Sequence, residues 1–233
     1  MQSHEPLDIA ALAAEIDARL QALPTSKTEP VRAVRREYSR RLAGASAQEV
    51  IALALQLLDR HSFVAYELVC HHHGALRSLG ERELELFGRD MASWEAVDTF
   101  ACYLSGPAWR ERQVPDSLIE HWAHSTDRWW RRAALVSTVP LNLTARGGRG
   151  DTARTLLICR LLVADRDDMV VKAMSWALRE LSRRDPQAVR DFLAEYEGRL
   201  AARVVREVQH KLATGLKNPR RTGTNTTSLT PLL

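Results

Sequence analysis

Trp94 and Asp98, in the stretch MASWEAVDTF (91–100), stand four residues apart. On a helix that spacing puts both side chains on one face, one turn apart. Val97 and Phe100 mark the segment as partly buried, and Asp is a poor helix-interior residue because it competes for local backbone hydrogen bonds. Asp98 therefore needs a partner, such as an Arg or a neighbouring helix end, or a chemical task. Two later stretches combine aromatics with cations. DRWWRRAAL (127–135) carries Trp129, Trp130, Arg131 and Arg132, and VVKAMSWALRE (170–180) carries Lys172, Trp176 and Arg179. Lys172 and Trp176 are four apart, Trp176 and Arg179 three apart, so each pair shares a face. Packing between helices and surface ion pairs would account for Trp130 and one Arg. They account less well for a recurrent aromatic-plus-cation pattern around one carboxylate.

The elements that must position these residues read as helices throughout. Hydrophobics at 45% and charged residues at 27% fit a soluble globular chain of 233 residues, and with 11 Gly, 9 Pro and little strand-like alternation the fold class is all-α. A net charge of +4 admits a polyanionic partner without demanding one. No run reaches the roughly 18 apolar residues of a membrane span, and the first twenty residues carry acids inside their apolar periodicity, unlike a secretory leader. A cytoplasmic location is expected. Cys70, Cys102 and Cys159 are odd in number and widely spaced, which reads as reduced core residues. Consecutive His71, His72 and His73 point about 100° apart on a helix, so they cannot grip one ion and read as a frayed helix end. No metal site is expected.

In order, helices are predicted over 7–22, from Pro30 to Gly44, from a Ser46–Glu49 capping box through residue 60, over 63–74, 81–90 and 91–104, with Pro107 ending that region. Further helices follow Pro115, then a cap at Ser125, Thr126 or Asp127, then Asp151; one covers 167–185, and two more runs follow Pro186 to about Leu212. Arg32, Arg35, Arg36, Arg40 and Arg41 form a basic cluster, either a solvated face or a phosphate-contacting one. The stretch LNLTARGGRGD (141–151) reads as an exposed loop. Residues 1–213 are expected to form one domain and 214–233 a disordered basic and polar tail. Asp90, Asp127 and Asp168 each precede a key residue by four places, at separations of 37 and 41. That period suits solenoids of paired helices, whose concave side offers an extended surface.

SWEAVD (93–98), DRWWRRAAL and VVKAMSWALRE also carry a family resemblance. In order and separation, from about residue 30 to 214, the chain resembles the AlkD-like DNA glycosylases of the DNA alkylation repair group. The resemblance implies a right-handed solenoid of HEAT-like helix pairs with a concave DNA-binding groove. It implies excision of cationic N3- or N7-alkylated purines, such as 3-methyladenine and 7-methylguanine, from duplex DNA, without a metal or organic cofactor and without flipping the lesion in its best-studied members. Trp94, Trp176 and Asp98 would be the cleft residues, with Arg132 approaching the DNA backbone. Arg131, Lys172, Arg179 and Trp129 would complete a DNA-binding rim, and one duplex would be met by a monomer. The basic pair after two Trp, the RGGRG loop and the tail depart from the family pattern and leave substrate range, up to bulky adducts, open. The alternatives are a non-catalytic helical-repeat protein binding branched or distorted DNA, and a protein-binding scaffold.

Overall fold

The computed structural model describes residues 7–216. Among them every regular element is helical: α1 (Ile9–Gln21), α2 (Thr28–Arg41), α3 (Ala47–Cys70), α4 (His73–Arg77), α5 (Glu81–Gly88), α6 (Trp94–Phe100), a π-helical turn (Ala101–Ser105), α7 (Gly106–Arg110), α8 (Asp116–Ala123), α9 (Arg128–Ser137), α10 (Val139–Asn142), a 3-10 turn (Thr144–Arg146), α11 (Thr152–Leu161), α12 (Asp168–Leu181), α13 (Pro186–Glu195) and α14 (Ala202–Thr214). The residues expected to form the tail lie, from 217 on, outside the described residues. No described helix is long and apolar enough to cross a membrane.

Most helix starts follow from capping chemistry, worth about 1 kcal/mol each. The Ser46–Glu49 box closes in both directions: the Glu49 N–H donates to the Ser46 hydroxyl at 3.2 Å, and the Ser46 N–H to the Glu49 carboxylate at 2.8 Å. The three helices that carry the candidate residues are headed by Ser93, Asp127 and Asp167, which accept from Ala96, Trp129 and Met169. Of the Asp repeat at 90, 127 and 168, only Asp127 is therefore a cap, so the period reflects helix spacing rather than a repeated cap residue.

Four expectations shift. His61 takes non-helical angles (φ −139°, ψ 48°), so the two helices expected around it are α3 with a kink. Gly74 lies inside α4, and His72 caps that helix by accepting the Ala75 N–H at 3.0 Å. Pro107 does not end the 91–104 helix. The Gly106 N–H reaches back five residues to the Ala101 carbonyl, and this widened turn gives the Pro107 ring room that an α-turn denies it, so the helix continues to Arg110. Finally, the 141–151 stretch is partly buried, at Leu141, Asn142 and Gly148.

Phe100 is fully buried and fixes the orientation of α6. It meets Tyr66 of α3 at 5.9 Å, Trp122 of α8 at 5.9 Å and, edge-on, Trp130 of α9 at 6.2 Å between ring centroids. Trp130 also rests on Gly88, where an added Cβ would sit 2.4 Å from the indole. With Val97 and Phe100 committed to this core, the opposite face of α6 turns Trp94 and Asp98 outward. Helix α6 packs on α9, α9 on α12 and α12 on α14, while α8 packs on α9 and α11, and α11 on α12. The three candidate-bearing helices are thus consecutive neighbours.

Candidate functional site

A hollow of about 770 Å³ opens beside these helices. Trp94 and Asp98 of α6, Arg132 of α9, and Lys172, Trp176 and Arg179 of α12 all line it, together with Met169, Glu180, Arg183, Arg203, Glu207 and Lys211. Six of the eight residues singled out in the sequence are therefore gathered at one place. Its lining holds six basic and three acidic side chains, so it carries a positive balance. Trp94 is the most open of the apolar groups, at 49% exposure. Trp176 is half-buried.

Asp98 is held from one side. Arg132 donates through Nε to Oδ1 at 2.9 Å and through Nη2 to Oδ2 at 2.8 Å, a two-pronged grip. Its third nitrogen, Nη1, donates to the Met169 carbonyl, so one guanidinium ties α6, α9 and the start of α12 together. Arg132 is buried, and its nitrogens are engaged within the protein rather than extended as a free cation. Burial raises the Asp98 carboxyl above its ordinary 3.8, and the Arg132 hydrogen bonds pull it back only in part. The group is a largely desolvated carboxyl facing a hollow, and as a carboxylate it keeps a second lone pair on each oxygen available beyond the Arg132 bonds.

On α12 and α14 the charged residues form a chain of contacts. Lys172 pairs with Asp168 at 2.6 Å, Asp168 with Arg203 at 3.0 Å, and Arg203 with Glu207 at 2.8 Å. Ser175 donates to Glu207 at 2.6 Å and receives Arg179 at 3.2 Å. Burial raises the Glu207 carboxyl, but Ser175 and Arg203 outweigh it and hold the group below its ordinary value. Burial lowers the Arg179 guanidinium. Arg179 is thus an inner support, and Lys172 a rim cation already shared with an acid.

Arg131 and Trp129 do not line the hollow. Arg131 pairs with Asp165 at 2.7 Å and donates to the Ser125 and Thr126 carbonyls, joining the turns before α9 and α12. Trp129 is half-buried beneath Arg128, whose guanidinium lies 4.8 Å from the ring centroid. Most of the α2 basic cluster is also internally committed: Arg32 and Arg35 to Glu67, Arg36 to Glu29 and Arg41 to Glu15. The sequence reading passed over the α14 contribution. Its signal was there, since Arg203, Glu207 and Lys211 recur every four residues and so form a stripe on one helix face. Among the described residues, no group of three His, Cys, Asp or Glu side chains could hold a metal ion.

Comparison with known proteins gives one match. Residues 24–212 fit the family model described as DNA alkylation repair enzyme. No curated protein and no solved structure matches the chain.

Proposed function

The chain belongs to the DNA alkylation repair enzyme family, and from that premise we propose that it is a monofunctional DNA N-glycosylase. Its substrates would be cationic N3- or N7-alkylated purines in duplex DNA. The observation that carries this reading is the convergence of Asp98, Trp94 and Trp176 on one positively rimmed hollow. The consecutive packing of α6, α9, α12 and α14 supports a solenoid of helix pairs whose concave side is the DNA groove. The protein would act as a monomer in the cytoplasm, with one duplex along that groove.

An N3- or N7-alkylated purine already carries positive charge and leaves without a general acid. As the bond from C1′ to the base nitrogen breaks, its electron pair neutralises the base and positive charge develops on the deoxyribose. The Asp98 carboxylate stabilises that charge and orients the water whose oxygen adds at C1′, accepting its proton. The faces of Trp94 and Trp176 contribute cation–π attraction of about 0.5–2 kcal/mol each. Arg132 holds the carboxylate in place and ionised, and the basic rim takes phosphates without reading sequence. An open hollow need not exclude bulky adducts.

The test is release of free 7-methylguanine or 3-methyladenine from methylated duplex DNA. Wild-type protein should release base, and Asp98→Asn, whose amide oxygen still accepts from Arg132, should stay folded and lose the activity. The two-pronged grip of Arg132 favours one second reading, since it occupies an edge of both Asp98 oxygens. In that reading the hollow binds distorted DNA without cleaving it. Folded wild-type protein that binds methylated duplex but releases nothing would establish that alternative.

A further inference from the structure

The loop after α10 is built with more constraint than a solvated connection requires. Gly147 adopts φ +79°, in the left-handed region, and a Cβ on Gly148 would lie 2.6 Å from the Pro140 carbonyl oxygen. Arg184 donates to the Asn142 carbonyl at 2.8 Å, the Thr144 hydroxyl at 2.6 Å and the Gly148 carbonyl at 2.8 Å. Arg110 donates to the Arg146 carbonyl. Backbone held at so many points presents its side chains in fixed directions. Two of those side chains are cations, Arg146 and Arg149. Among the described residues neither forms an ion pair, whereas most of the arginines of α2, α9 and α12 are spent on carboxylates or carbonyls. The Arg146 guanidinium instead stacks 3.9 Å from the centroid of Tyr103, which braces its plane and leaves its N–H edges free to donate.

This loop flanks the hollow. Tyr103 lies in the π-helical turn that continues α6, five residues past Asp98, and its hydroxyl also accepts from Arg32 of α2 at 3.0 Å. At the end of α12, Arg183 lines the hollow while the next residue, Arg184, anchors the loop. The Cys102 thiol, one turn beyond Asp98, feels the charges of both Asp98 and Arg146.

Resting on the reading of the hollow as a DNA site, we propose that Arg146 and Arg149 form a phosphate clamp that extends the duplex contact past the hollow along the 144–150 loop. A planar guanidinium with open donor edges matches a phosphate's paired oxygens. Such contacts release counterions and fix register on the duplex without specifying sequence.

The test titrates undamaged and methylated duplexes with wild type, Arg149→Ala and the Arg146→Ala/Arg149→Ala double variant over a series of salt concentrations. Single-turnover base release is measured at saturating protein. Each lost phosphate contact flattens the plot of log K against log salt by about 0.9. The double variant should therefore flatten it by about one to two, weaken both duplexes by the same factor and leave saturated release unchanged. Arg149 is exposed and borders Glu111 and Asp151 at a second hollow without an ion pair to either among the described residues, so Arg149→Ala keeps the fold and should by itself flatten the slope by about one. Slopes equal to wild type in both folded variants overturn the clamp. If wild type releases base and the slopes coincide, the clamp fails and the glycosylase reading stands. If wild type releases none and the slopes still fall, the clamp stands and that reading fails.

Discussion

Glu67 and Asp98 are both carboxylates that join helices through arginine, and they are built to opposite ends. Glu67 of α3 receives Arg32 on one oxygen at 2.8 Å and Arg35 on the other at 3.0 Å, and its side chain is 1% exposed. Asp98 of α6 receives a single arginine on both oxygens, and 17% of its side chain is open to the hollow. Two cations on a sealed anion make a rivet, because each partner satisfies charge that would otherwise be stranded in a poor dielectric. One cation on an anion with an open side leaves field directed outward. The same chemical pair thus serves as closure in one place and as a poised charge in the other. The number of cations and the aperture decide which, not the residue type.

The largest expected effect separates the two directly. Asp98→Asn should lower base release by at least about 100-fold, the scale of losing a preorganised electrostatic group. Glu67→Gln should instead cost stability, about 3 kcal/mol, mostly for stranding the buried Arg35 guanidinium, with the half-buried Arg32 adding little because solvent screens it, and leave release by the folded protein near wild type. Single-turnover release and thermal melts on the two variants measure this. A folded Glu67→Gln protein that loses release as completely as Asp98→Asn would erase the distinction.

Next comes the pH dependence of the open carboxylate. Burial shifts its pKa upward, so the fold favours the protonated form. The associated stability is present at low pH and is lost as pH rises through the raised pKa; above it, ionised Asp98 is a net cost to the fold. In the proposed reaction release needs the ionised form, so its acid limb should lie at higher pH than an unperturbed aspartate would give. Arg132 pulls the group downward, hence Arg132→Gln should move that limb further up while slowing release at its plateau. A limb that stays put in the folded variant would mean that Arg132 does not set the charge state of Asp98.

How much of this could be read from the chain depends on whether the determinant was local. The helices and several caps were legible, because Ser46 with Glu49 and Asp151 act within three residues of themselves, whereas Ser125, Thr126 and Asp127 were equal candidates in sequence and the Trp129 N–H selects Asp127. The grouping of Trp94, Asp98, Lys172 and Trp176 on one hollow was legible from helical spacing joined to a family pattern. What escaped was set by distant partners. Nothing next to Arg132 says that its nitrogens reach Asp98 and the Met169 carbonyl, and nothing beside Arg131 points to Asp165. The α2 arginines looked like a free basic face because Glu67 and Glu15 lie far along the chain. Pro107 misled for a related reason: a widened turn just before it made a proline tolerable where propensity alone predicts a stop.

The smallest effects test whether the aromatic groups divide as the two carboxylates do. Trp94 borders the open acid and is half exposed, so Trp94→Ala should take little from the core. Losing its cation–π contribution of about 0.5–2 kcal/mol should slow release by about 2- to 30-fold at an almost unchanged melting temperature. Tyr103 stands on the other side of the comparison, since its hydroxyl accepts from Arg32, one of the two cations on Glu67. Tyr103→Phe should cost about 1 kcal/mol of stability through that hydrogen bond and leave release untouched. The phenylalanine ring keeps the face on which Arg146 stacks, so the duplex salt slope should also stay at its wild-type value. If Trp94→Ala melts early at full activity while Tyr103→Phe is stable and slow, the aromatic roles are exchanged, and the open carboxylate has no aromatic wall on its α6 side.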